Sequence, residues 1–445
     1  MGRYNKSLRI KKAIGISFCV GFLLTFALMM ISSILPNPIG QAWDERVFQD
    51  ARQNINQIRK GIIRIQFKNA TEDPIQNTNV NITLSKHEFL FGAMFFHYDE
   101  SSSTNDLYAS MWTDVFNFAV LPFYYSMWDN ETSFSEEKRI NSTLAYCAEH
   151  NITTKGHCLV WNHPAGIPEW LDVESMTQQE IKDHYYNRIS SLTYKYRNNI
   201  SYWDVTNEML HRKFPKIDSL ELFVHNCFMV ARNSVPTNNL IINDYGMLGH
   251  TFGIGEMERF LARLNALGTP YDIIGMQGHV MDTDWIPSYE IKGTLDGFSK
   301  LGKPIHITEL MVSSIAAPIT NSWKKGTWSQ HLQAEFLERL YTTVFGNPAC
   351  ESLLYWGFED RDITSSRYDG YGLINSDLSP KPAYLTLKRL IKDTWHTDLL
   401  NIQTDSEGWV EFEGFYGTYN ISIDTHDFQI VSGKNMNNSF VIQFP

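Results

Sequence analysis

Residues 200–208 read ISYWDVTNE, a strand-like run that ends in an amide and a carboxylate. Its first seven residues, 200–206, have the β-branched and aromatic composition of a buried strand. The strand ends directly before the amide of Asn207 and the carboxylate of Glu208. In parallel α/β folds the chemistry lies at the carboxyl ends of the strands. A strand that ends in these two side chains therefore predicts a parallel sheet with a functional site at its edge.

Seven further short apolar runs of the same kind lie between residues 88 and 395. They are the candidate strands 89–95, 116–121, 153–161, 238–243, 271–277, 304–308 and 351–357. Amphipathic stretches such as 177–197 and 329–345 separate them and are long enough for helices. Eight strands that alternate with helices favour an α/β fold, a (β/α)8 TIM barrel over 88–395. An open doubly wound sheet is the alternative, but no Gly-x-Gly-x-x-Gly motif follows a strand.

Strand-like segments also occur towards both ends of the chain. They are 61–67 and 79–84 before the barrel, and 409–413, 418–423 and 439–444 after it. Neither group contains enough strands to be stable alone. We therefore expect the N-terminal β-segment 61–87 and the C-terminal β-segment 396–445 to pair in one small β-sandwich. A linker helix within 36–60 is expected before them.

The amino-terminal sequence predicts attachment to a membrane. The uncharged run 13–35 is 23 residues long and follows a basic tail at 1–12. This length spans the bilayer's hydrocarbon core of about 30 Å, and the basic flank predicts a cytoplasmic tail. A signal peptide cleaved near Ala42 is the alternative. The sequence thus predicts a single-pass cell-membrane protein with an extracellular catalytic domain, or a secreted protein if cleavage occurs.

Composition disfavours two classes of function. The chain has 49 Asp and Glu against 38 Lys and Arg, a net charge of −11, which disfavours nucleic-acid binding. None of its five Cys forms a Cys-x-x-Cys pair, which argues against a disulfide scaffold or a structural zinc site. One or two disulfides and free buried thiols remain open as alternatives for Cys147, Cys158, Cys227 and Cys350.

Eight Asn-x-Ser/Thr sequons predict a glycoprotein, since this tripeptide is the acceptor for N-linked glycans. Their asparagines are Asn69, Asn81, Asn130, Asn141, Asn151, Asn199, Asn420 and Asn437. Each sequon alone is a weak signal, because the tripeptide also arises by chance.

Polar and aromatic side chains follow six of the predicted barrel strands. They are His157 and Trp161 (third strand), Asn207 and Glu208 (fourth), Asn243, Asp244 and Tyr245 (fifth), Gln277 and His279 (sixth), Glu309 (seventh), and Trp356 and Glu359 (eighth). Any one of them is compatible with a structural role at the barrel rim. Their convergence on one barrel mouth predicts an active site.

Two of these carboxylates suit the cleavage of a glycosidic bond. Such cleavage needs one carboxylic acid to protonate the leaving oxygen and one carboxylate to meet the positive charge that develops on the sugar. Glu208 and Glu309 fit these roles, and His279 is placed to keep Glu309 ionised, so that the pKa values of the two separate. Asp204 and Asp244 are competitors, and Asp204 is expected deeper in the barrel.

A metal site is the alternative use of the same groups. His157, His163 and His279 together with Glu309 are candidate ligands of zinc or manganese. The sequence contains no His-Glu-x-x-His or similar close pair, so we predict neither a metal nor a cofactor.

The chain resembles glycoside hydrolase family 10, best known for endo-β-1,4-xylanases. The matching segments are GHCLVW (156–161), WDVTNE (203–208), INDYG (242–246), IIGMQGH (273–279), PIHITEL (304–310), YWGFED (355–360) and SPKPAY (379–384). The resemblance implies a (β/α)8 barrel and a retaining mechanism, with Glu208 as acid/base and Glu309 as nucleophile. It also implies that the sugar subsites beside the cleaved bond are lined by His157, Trp161, Asn207, Gln277, His279 and Trp356.

The chain departs from the family pattern beside the site. After the second strand the family usually has Glu-Asn-x-Met-Lys-Trp, whereas this chain has FYYSMW (123–128). Rings and a thioether thus replace polar sugar contacts. Met311 stands where an Asp is frequent, and Ile363-Thr364 replaces a Ser-Trp pair. These changes bear on xylan specificity, while both carboxylates remain.

The sequence therefore predicts an extracellular retaining endo-β-1,4-glycosidase. Its expected partner is a xylan-like polysaccharide substrate, hydrolysed by double displacement. A non-catalytic carbohydrate-binding surface protein on the same barrel is the alternative.

Overall fold

A computed structural model describes residues 38–128, 133–248, 253–280, 283–360 and 370–444. Several predictions from the sequence concern residues outside these ranges, namely the tail 1–12, the apolar run 13–35, the sequon at Asn130 and the Ile363-Thr364 departure.

The described chain begins with helix α1, Pro38–Ile58, which packs against the barrel helices. Its inward stripe is made of Val47, Phe48, Ala51 and Ile55. The buried carboxylate of Asp44 accepts a hydrogen bond from the backbone N–H of Ser288 and lies 3.1 Å from Arg339 Nη2. Because a buried charge needs such partners, these contacts fix the helix against the barrel.

The predicted cell-membrane localisation is corrected by the described part of the chain. No helix there is both long and apolar enough to cross a bilayer. Helix α1 has the length, with 21 residues, but its sequence includes the charged run Asp44-Glu45-Arg46 and is polar on one face. The predicted membrane partner therefore has no support, and Ala42, the predicted cleavage position, lies within α1.

Two strands follow α1, and then eight parallel strands close into a barrel. The strands before the barrel are β1, Lys60–Lys68, and β2, Asn79–His87. The barrel strands are β3 Leu90–Met94, β4 Phe118–Pro122, β5 Thr153–His157, β6 Tyr202–Asn207, β7 Asn239–Asp244, β8 Ile273–Met276, β9 Ile305–Leu310 and β12 Cys350–Tyr355. Between β9 and β12, the strands β10 Pro318–Ile319 and β11 Gly326–Thr327 form a short separate hairpin. The ladder runs from β3 to β9 in order and closes through β12.

The barrel confirms the predicted fold class and the predicted strands. Because helices cover its outer face and side chains fill its interior, strands such as β3, β4 and β9 are buried at every residue. The third strand differs from its prediction, 153–161, because its ladder ends at His157. Val160 then rejoins β6 through a single bridge to Thr206.

Helices cover the barrel between the strands. They are α2 Asn105–Thr113, α3 Ser133–Glu149, α4 Gln178–Lys195, α5 Leu220–Ser234, α6 Ile254–Ala266, α7 Ser288–Ser299, α8 Gln330–Phe345 and α9 Pro382–Lys388, the last continued by a π-helical turn Arg389–Thr394. The predicted helices 177–197 and 329–345 are α4 and α8. Helix α4 begins with a capping box, in which Thr177 and Glu180 each accept a backbone N–H bond from the other.

Strands from both ends of the chain form two sheets beside the barrel. After the barrel come β13 Asp398–Gln403, β14 Trp409–Phe415, β15 Gly417–Ile423, β16 His426–Ser432 and β17 Ser439–Gln443. The sheet orders are β14-β1-β17 and β13-β2-β15-β16. Strands from the two ends of the chain thus pair with each other in both sheets, and β13 and β16 are strands that the sequence analysis missed.

Candidate active site

The candidate site lies at the carboxyl ends of the barrel strands. Asn207 is the last residue of β6, and Glu208 follows it with a backbone φ of 56°. This left-handed conformation is uncommon for a residue with a side chain. It is held by a hydrogen bond from Glu208 N to Asn243 O, 2.9 Å, and one from Arg212 N to Glu208 O, 2.6 Å. The backbone thus turns sharply where the candidate acid leaves the strand.

Three donors surround the carboxylate of Glu208. Trp161 Nε1 donates to Oε2 at 2.8 Å, and Gln277 Nε2 donates to Oε1 at 3.0 Å. Arg212 Nε lies 2.8 Å from Oε2. Burial nevertheless raises the pKa of Glu208 above its ordinary value, and the charge of Glu309 adds to this effect against the three donors. Glu208 is thus the carboxyl group of the pair that holds a proton to higher pH.

Glu309 lies near the end of β9, and its surroundings favour the ionised form, in contrast to those of Glu208. Its Oε1 accepts a hydrogen bond of 2.7 Å from Asn243 Nδ2, and its Oε2 lies 3.2 Å from His279 Nε2. His157 Nδ1 is 3.8 Å from Oε1. Burial opposes ionisation of this carboxyl, but the His279 hydrogen bond and the charges of the two histidines outweigh it and lower the pKa of Glu309. Glu309 is therefore the group that stays ionised.

A glycine turn brings His279 to Glu309. Gly278 follows the end of β8 with φ 82°, a conformation that residues with a side chain rarely adopt. A Cβ added there would lie 3.1 Å from Ile307 Cγ2. The Gln277-Gly278-His279 sequence can therefore send one side chain to Glu208 and the other to Glu309.

Asn207, Asn243 and Gln277 connect the two carboxylates. Asn207 Oδ1 accepts from Asn243 Nδ2 at 2.8 Å and from Gln277 Nε2 at 3.4 Å. Asn243 Nδ2 also donates to Glu309, and Gln277 Nε2 also donates to Glu208. Each of these two NH₂ groups therefore uses both of its hydrogen atoms for bonds to residues of the site. Asn207 accepts with its oxygen, which leaves its NH₂ group for a ligand.

A chain of buried charges lies below the carboxylates. Lys155 Nζ and His157 Nδ1 are each 2.7 Å from Asp204 Oδ2, and all three side chains are buried. Burial alone would raise the pKa of Asp204, but Lys155 and His157 lower it. Asp204, which the sequence suggested as a competitor for the chemistry, is thus enclosed in the barrel as an ionised partner of His157.

Asp244, the other competitor, supports the loop after β6. Its Oδ1 is 2.6 Å from His211 Nδ1, and its Oδ2 accepts from Leu210 N at 3.0 Å. The hydrogen bond that His211 donates to Asp244 raises the pKa of His211. Both oxygens of Asp244 are thus engaged by the loop after β6, so Asp244 fits a positioning role.

Aromatic rings form the walls of the site. Trp161 stacks on His163 at 4.0 Å, and Trp356 contacts His157 at 5.0 Å and Phe96 at 5.6 Å, both nearly perpendicular. Tyr124 lies among them, with its ring 5.8 Å from Trp161, 5.6 Å from His157 and 5.9 Å from Phe96.

All eight predicted site residues are therefore brought together. Seven are connected by hydrogen bonds or close ion contacts, and Trp356 joins them through the ring of His157. The suggested metal set is not assembled, because His163 is stacked on Trp161 and accepts from Ala165 N. Among the residues that the structure describes, no three His, Cys, Asp or Glu side chains are grouped to hold a metal ion.

Two residues of the site, Lys155 and Arg212, are not among those predicted from the sequence, and Asn243 was named there only as a polar residue at a strand end. Lys155 and His157 are two residues apart on β5, so both face the barrel interior, a signal that strand alternation could have supplied. Asn243 stands at a predicted strand end, but its position alone does not assign it a contact with Glu309. Arg212 gives no signal in the sequence, because its contact depends on the turn after Glu208.

Comparisons with known proteins found relatives of this chain. The family model described as Glycosyl hydrolase family 10 matches residues 120–390, more than half of the chain. The chain is 28% identical over 378 residues to anti-sigma-I factor RsgI6 of Acetivibrio thermocellus, covering 84% of this chain and 46% of that protein. It is 26% identical over 386 residues to endo-1,4-beta-xylanase 2 of Arabidopsis thaliana, covering 84% and 33%. The chain thus spans less than half the length of these two curated relatives.

A solved structure gives the same fold. Native xylanase 10B from Thermotoga maritima matches with a TM-score of 0.57 at 22% identity, covering 69% of this chain and 96% of that one. At this identity the match shows only that the two chains share the barrel fold.

Proposed function

The chain belongs to glycosyl hydrolase family 10, and on this premise we propose that it is a retaining endo-β-1,4-glycosidase that hydrolyses a xylan-like β-glycan. The observation that carries the proposal is the contrast between two carboxyl groups in one site. Burial raises the pKa of Glu208, whereas His279 and His157 outweigh burial and lower the pKa of Glu309. A proton donor and an ionised nucleophile are the two groups that retaining hydrolysis needs.

In the first step, Glu309 attacks the anomeric carbon, and Glu208 gives its proton to the leaving oxygen. A covalent glycosyl–enzyme bond forms at the Glu309 carboxylate while the glycosidic bond breaks. In the second step, Glu208, now ionised, removes a proton from water, and the water oxygen displaces Glu309 from the same carbon. Two inversions at one carbon retain the configuration.

The surrounding residues support the two roles. Asn243 and His279 hold one oxygen each of Glu309, which orients the nucleophile before it attacks. Asn207 accepts both hydrogen bonds through its oxygen, and its NH₂ group suits a sugar hydroxyl next to the reacting carbon. Trp161 and Trp356 supply ring faces for stacking on a sugar.

The proposal is tested with aryl β-xylobioside and aryl β-cellobioside, using Glu309→Gln, Glu208→Ala and the wild-type protein. We expect hydrolysis by the wild type with a β-configured first product by NMR, and loss of turnover in Glu309→Gln. Glu208→Ala should cleave a dinitrophenyl glycoside, whose leaving group needs no acid, and azide should accelerate it by replacing water as the nucleophile. Glu413→Gln, an exposed carboxylate on β14, is the matched control.

Retention of sugar binding without hydrolysis of either glycoside by the wild type would contradict the proposal. That result would favour a carbohydrate-binding protein on the same barrel.

A further inference from the structure

Arg212 lies directly against the proposed acid. Its Nε is 2.8 Å from Oε2 of Glu208, the same oxygen that accepts the Trp161 hydrogen bond. With Gln277 on Oε1, both oxygens of Glu208 are engaged as acceptors. An acid needs a proton on one of these oxygens, directed at the leaving oxygen of the substrate. In this arrangement the guanidinium group stabilises the form of Glu208 that cannot donate a proton.

Arg212 occupies the outer side of Glu208, facing solvent. Its side chain is 43% exposed, whereas that of Glu208 is 12% exposed. The positive charge of Arg212 acts on two rings of the neighbouring turns. Burial lowers the pKa of His163, and the charge of Arg212 lowers it further. Burial raises the pKa of Tyr245, and the charge of Arg212 opposes that rise. Arg212 thus lies among the turns that follow β5, β6 and β7.

This position belongs to the leaving-group side of the site. Glu208 must contact the leaving oxygen, whereas Glu309 must contact the anomeric carbon of the other sugar. The groups packed around Glu208 on its exposed side therefore meet the sugar that leaves first. Trp161 with His163, and Tyr245 stacked on His211 at 4.0 Å, provide rings there.

We propose that Arg212 determines specificity by binding a carboxylate carried by the leaving-group side of the sugar chain, as in a uronic acid substituent, and that this contact frees Glu208 to act as the acid. The inference rests on the proposed hydrolytic function. It names a substrate class, an acidic β-glycan.

The chemistry of the guanidinium group fits this exchange. Its five N–H donors form a planar fork that matches a carboxylate, and the Nε contact with Glu208 leaves the terminal amino groups for a second anion. When a substrate carboxylate replaces Glu208 as the partner, the positive charge keeps a counter-ion. A neutral sugar offers no such replacement, so Arg212 stays paired with the acid.

The test compares two xylo-oligosaccharides that differ only in one glucuronic acid substituent on the leaving-group side. We expect the wild-type protein to cleave the acidic one with about tenfold higher kcat/KM, the size of one charge-assisted hydrogen bond. Arg212→Met should remove the preference, and cleavage of the neutral compound should rise, because no guanidinium group then stabilises the ionised form of Glu208. High salt, or conversion of the acid to its methyl ester, should also remove the preference.

Lys213→Met is the matched control, since Lys213 is the next residue, is exposed and carries the same charge. It should keep the preference. Equal cleavage of both compounds by the wild type, or an equal loss on both in Arg212→Met, would overturn the inference and leave Arg212 as a support for Glu208. Those results leave the hydrolytic function standing, because the neutral compound is still cleaved by the wild type. If the wild type cleaves neither compound, both proposals fail.

Discussion

Lys155 and Asp204 form an ion pair inside the barrel, with Nζ 2.7 Å from Oδ2 and both side chains fully buried. Asp204 also accepts from His157, whose Nδ1 lies 3.8 Å from Glu309. The positive charge of Lys155 is one of the influences, after those of His279 and His157, that lower the pKa of Glu309. A buried residue on β5 thus acts on the proposed nucleophile through its charge.

Replacing Lys155 with methionine should therefore destabilise the protein strongly. The substitution leaves Asp204 buried without its cationic partner, and removal of one member of a buried pair costs about 3–5 kcal/mol. The free energy of unfolding, measured by urea denaturation, is expected to fall by that amount. The double variant Lys155→Met/Asp204→Asn removes the stranded charge and should recover much of the loss.

A surface pair provides the control for this prediction. Lys292 Nζ lies 2.5 Å from Asp296 Oδ2, but both side chains are nearly half exposed. Lys292→Met should change the free energy of unfolding by less than about 1 kcal/mol, because water screens an exposed pair. Equal losses in Lys155→Met and Lys292→Met would show that burial of the pair is not what matters.

The pH dependence of catalysis should follow the two glutamates in opposite directions. Since the pKa of Glu309 is lowered, activity should persist as pH falls and disappear only when pH drops through a value below that of an ordinary glutamate. Since burial raises the pKa of Glu208, this group should keep its proton above the pH at which an ordinary glutamate loses it. Loss of that proton should then lower the activity on the alkaline side. We expect a bell-shaped profile of kcat/KM with aryl β-xylobioside.

His279→Ala should shift the acidic limb of that profile to higher pH. The substitution removes the hydrogen bond that most lowers the pKa of Glu309 and leaves burial to raise it. The alkaline limb should stay in place, because it reports Glu208. A shift of the alkaline limb with the acidic limb unchanged would reverse the assignment of the two roles.

The barrel could be predicted because its signals are local. Each strand is a short apolar run, and each run ends where a polar group begins, as at Thr206 and Asn207. The terminal sheets were predicted less completely. No residue of β13 is fully buried, and only two of the four inward positions of β16 are apolar, so neither strand carries a strong apolar pattern. The pairing of β1 with β14 spans more than three hundred residues, and no local pattern contains its register.

Most polar residues of the site could be named from the sequence, although Lys155 and Arg212 were not, and their arrangement could not be predicted. Two contacts illustrate this, the hydrogen bond of Asn243 to Glu309 and the ion pair of Lys155 with Asp204. Both depend on the radius of the closed barrel and on which side chains of neighbouring strands point to its interior. The contact of Arg212 with Glu208 depends on a left-handed residue at position 208. Sequence spacing alone does not contain these distances.

Tyr124→Asn should raise activity on linear xylo-oligosaccharides. Tyr124 stands where the family pattern has an amide, and its ring instead packs against Trp161, His157 and Phe96. An amide would return one hydrogen bond to a sugar hydroxyl and open the cleft. We expect kcat/KM to rise about two- to tenfold, the range of one neutral hydrogen bond.

Tyr124→Phe keeps the ring and is the control for this substitution. It should leave kcat/KM on the same oligosaccharides close to that of the wild type. Should Tyr124→Asn lower kcat/KM on every substrate while Tyr124→Phe does not, the ring itself would be the surface that binds the sugar.

The β-sandwich from both termini should stabilise the protein without taking part in catalysis. Ile421 on β15 is fully buried and lies opposite Ile82 of β2 on one side and Phe428 of β16 on the other. Ile421→Ala should lower the free energy of unfolding by about 2–5 kcal/mol, because it opens a cavity between strands from the two ends of the chain. The kcat of the folded variant should be unchanged, since the proposed catalytic groups lie on the barrel.

Ile62, on β1 of the neighbouring sheet, is the matched control because its side chain is 54% exposed. Ile62→Ala should change the free energy of unfolding by no more than about 0.5 kcal/mol. Removal of residues 401–445 takes away β14 to β17 and uncovers Ile63, Ile65 and Ile82, which are all fully buried in the intact chain. That deletion should therefore lower solubility and melting temperature more than Ile421→Ala does. Unchanged melting in Ile421→Ala and in the deletion would show that the two sheets do not stabilise the fold.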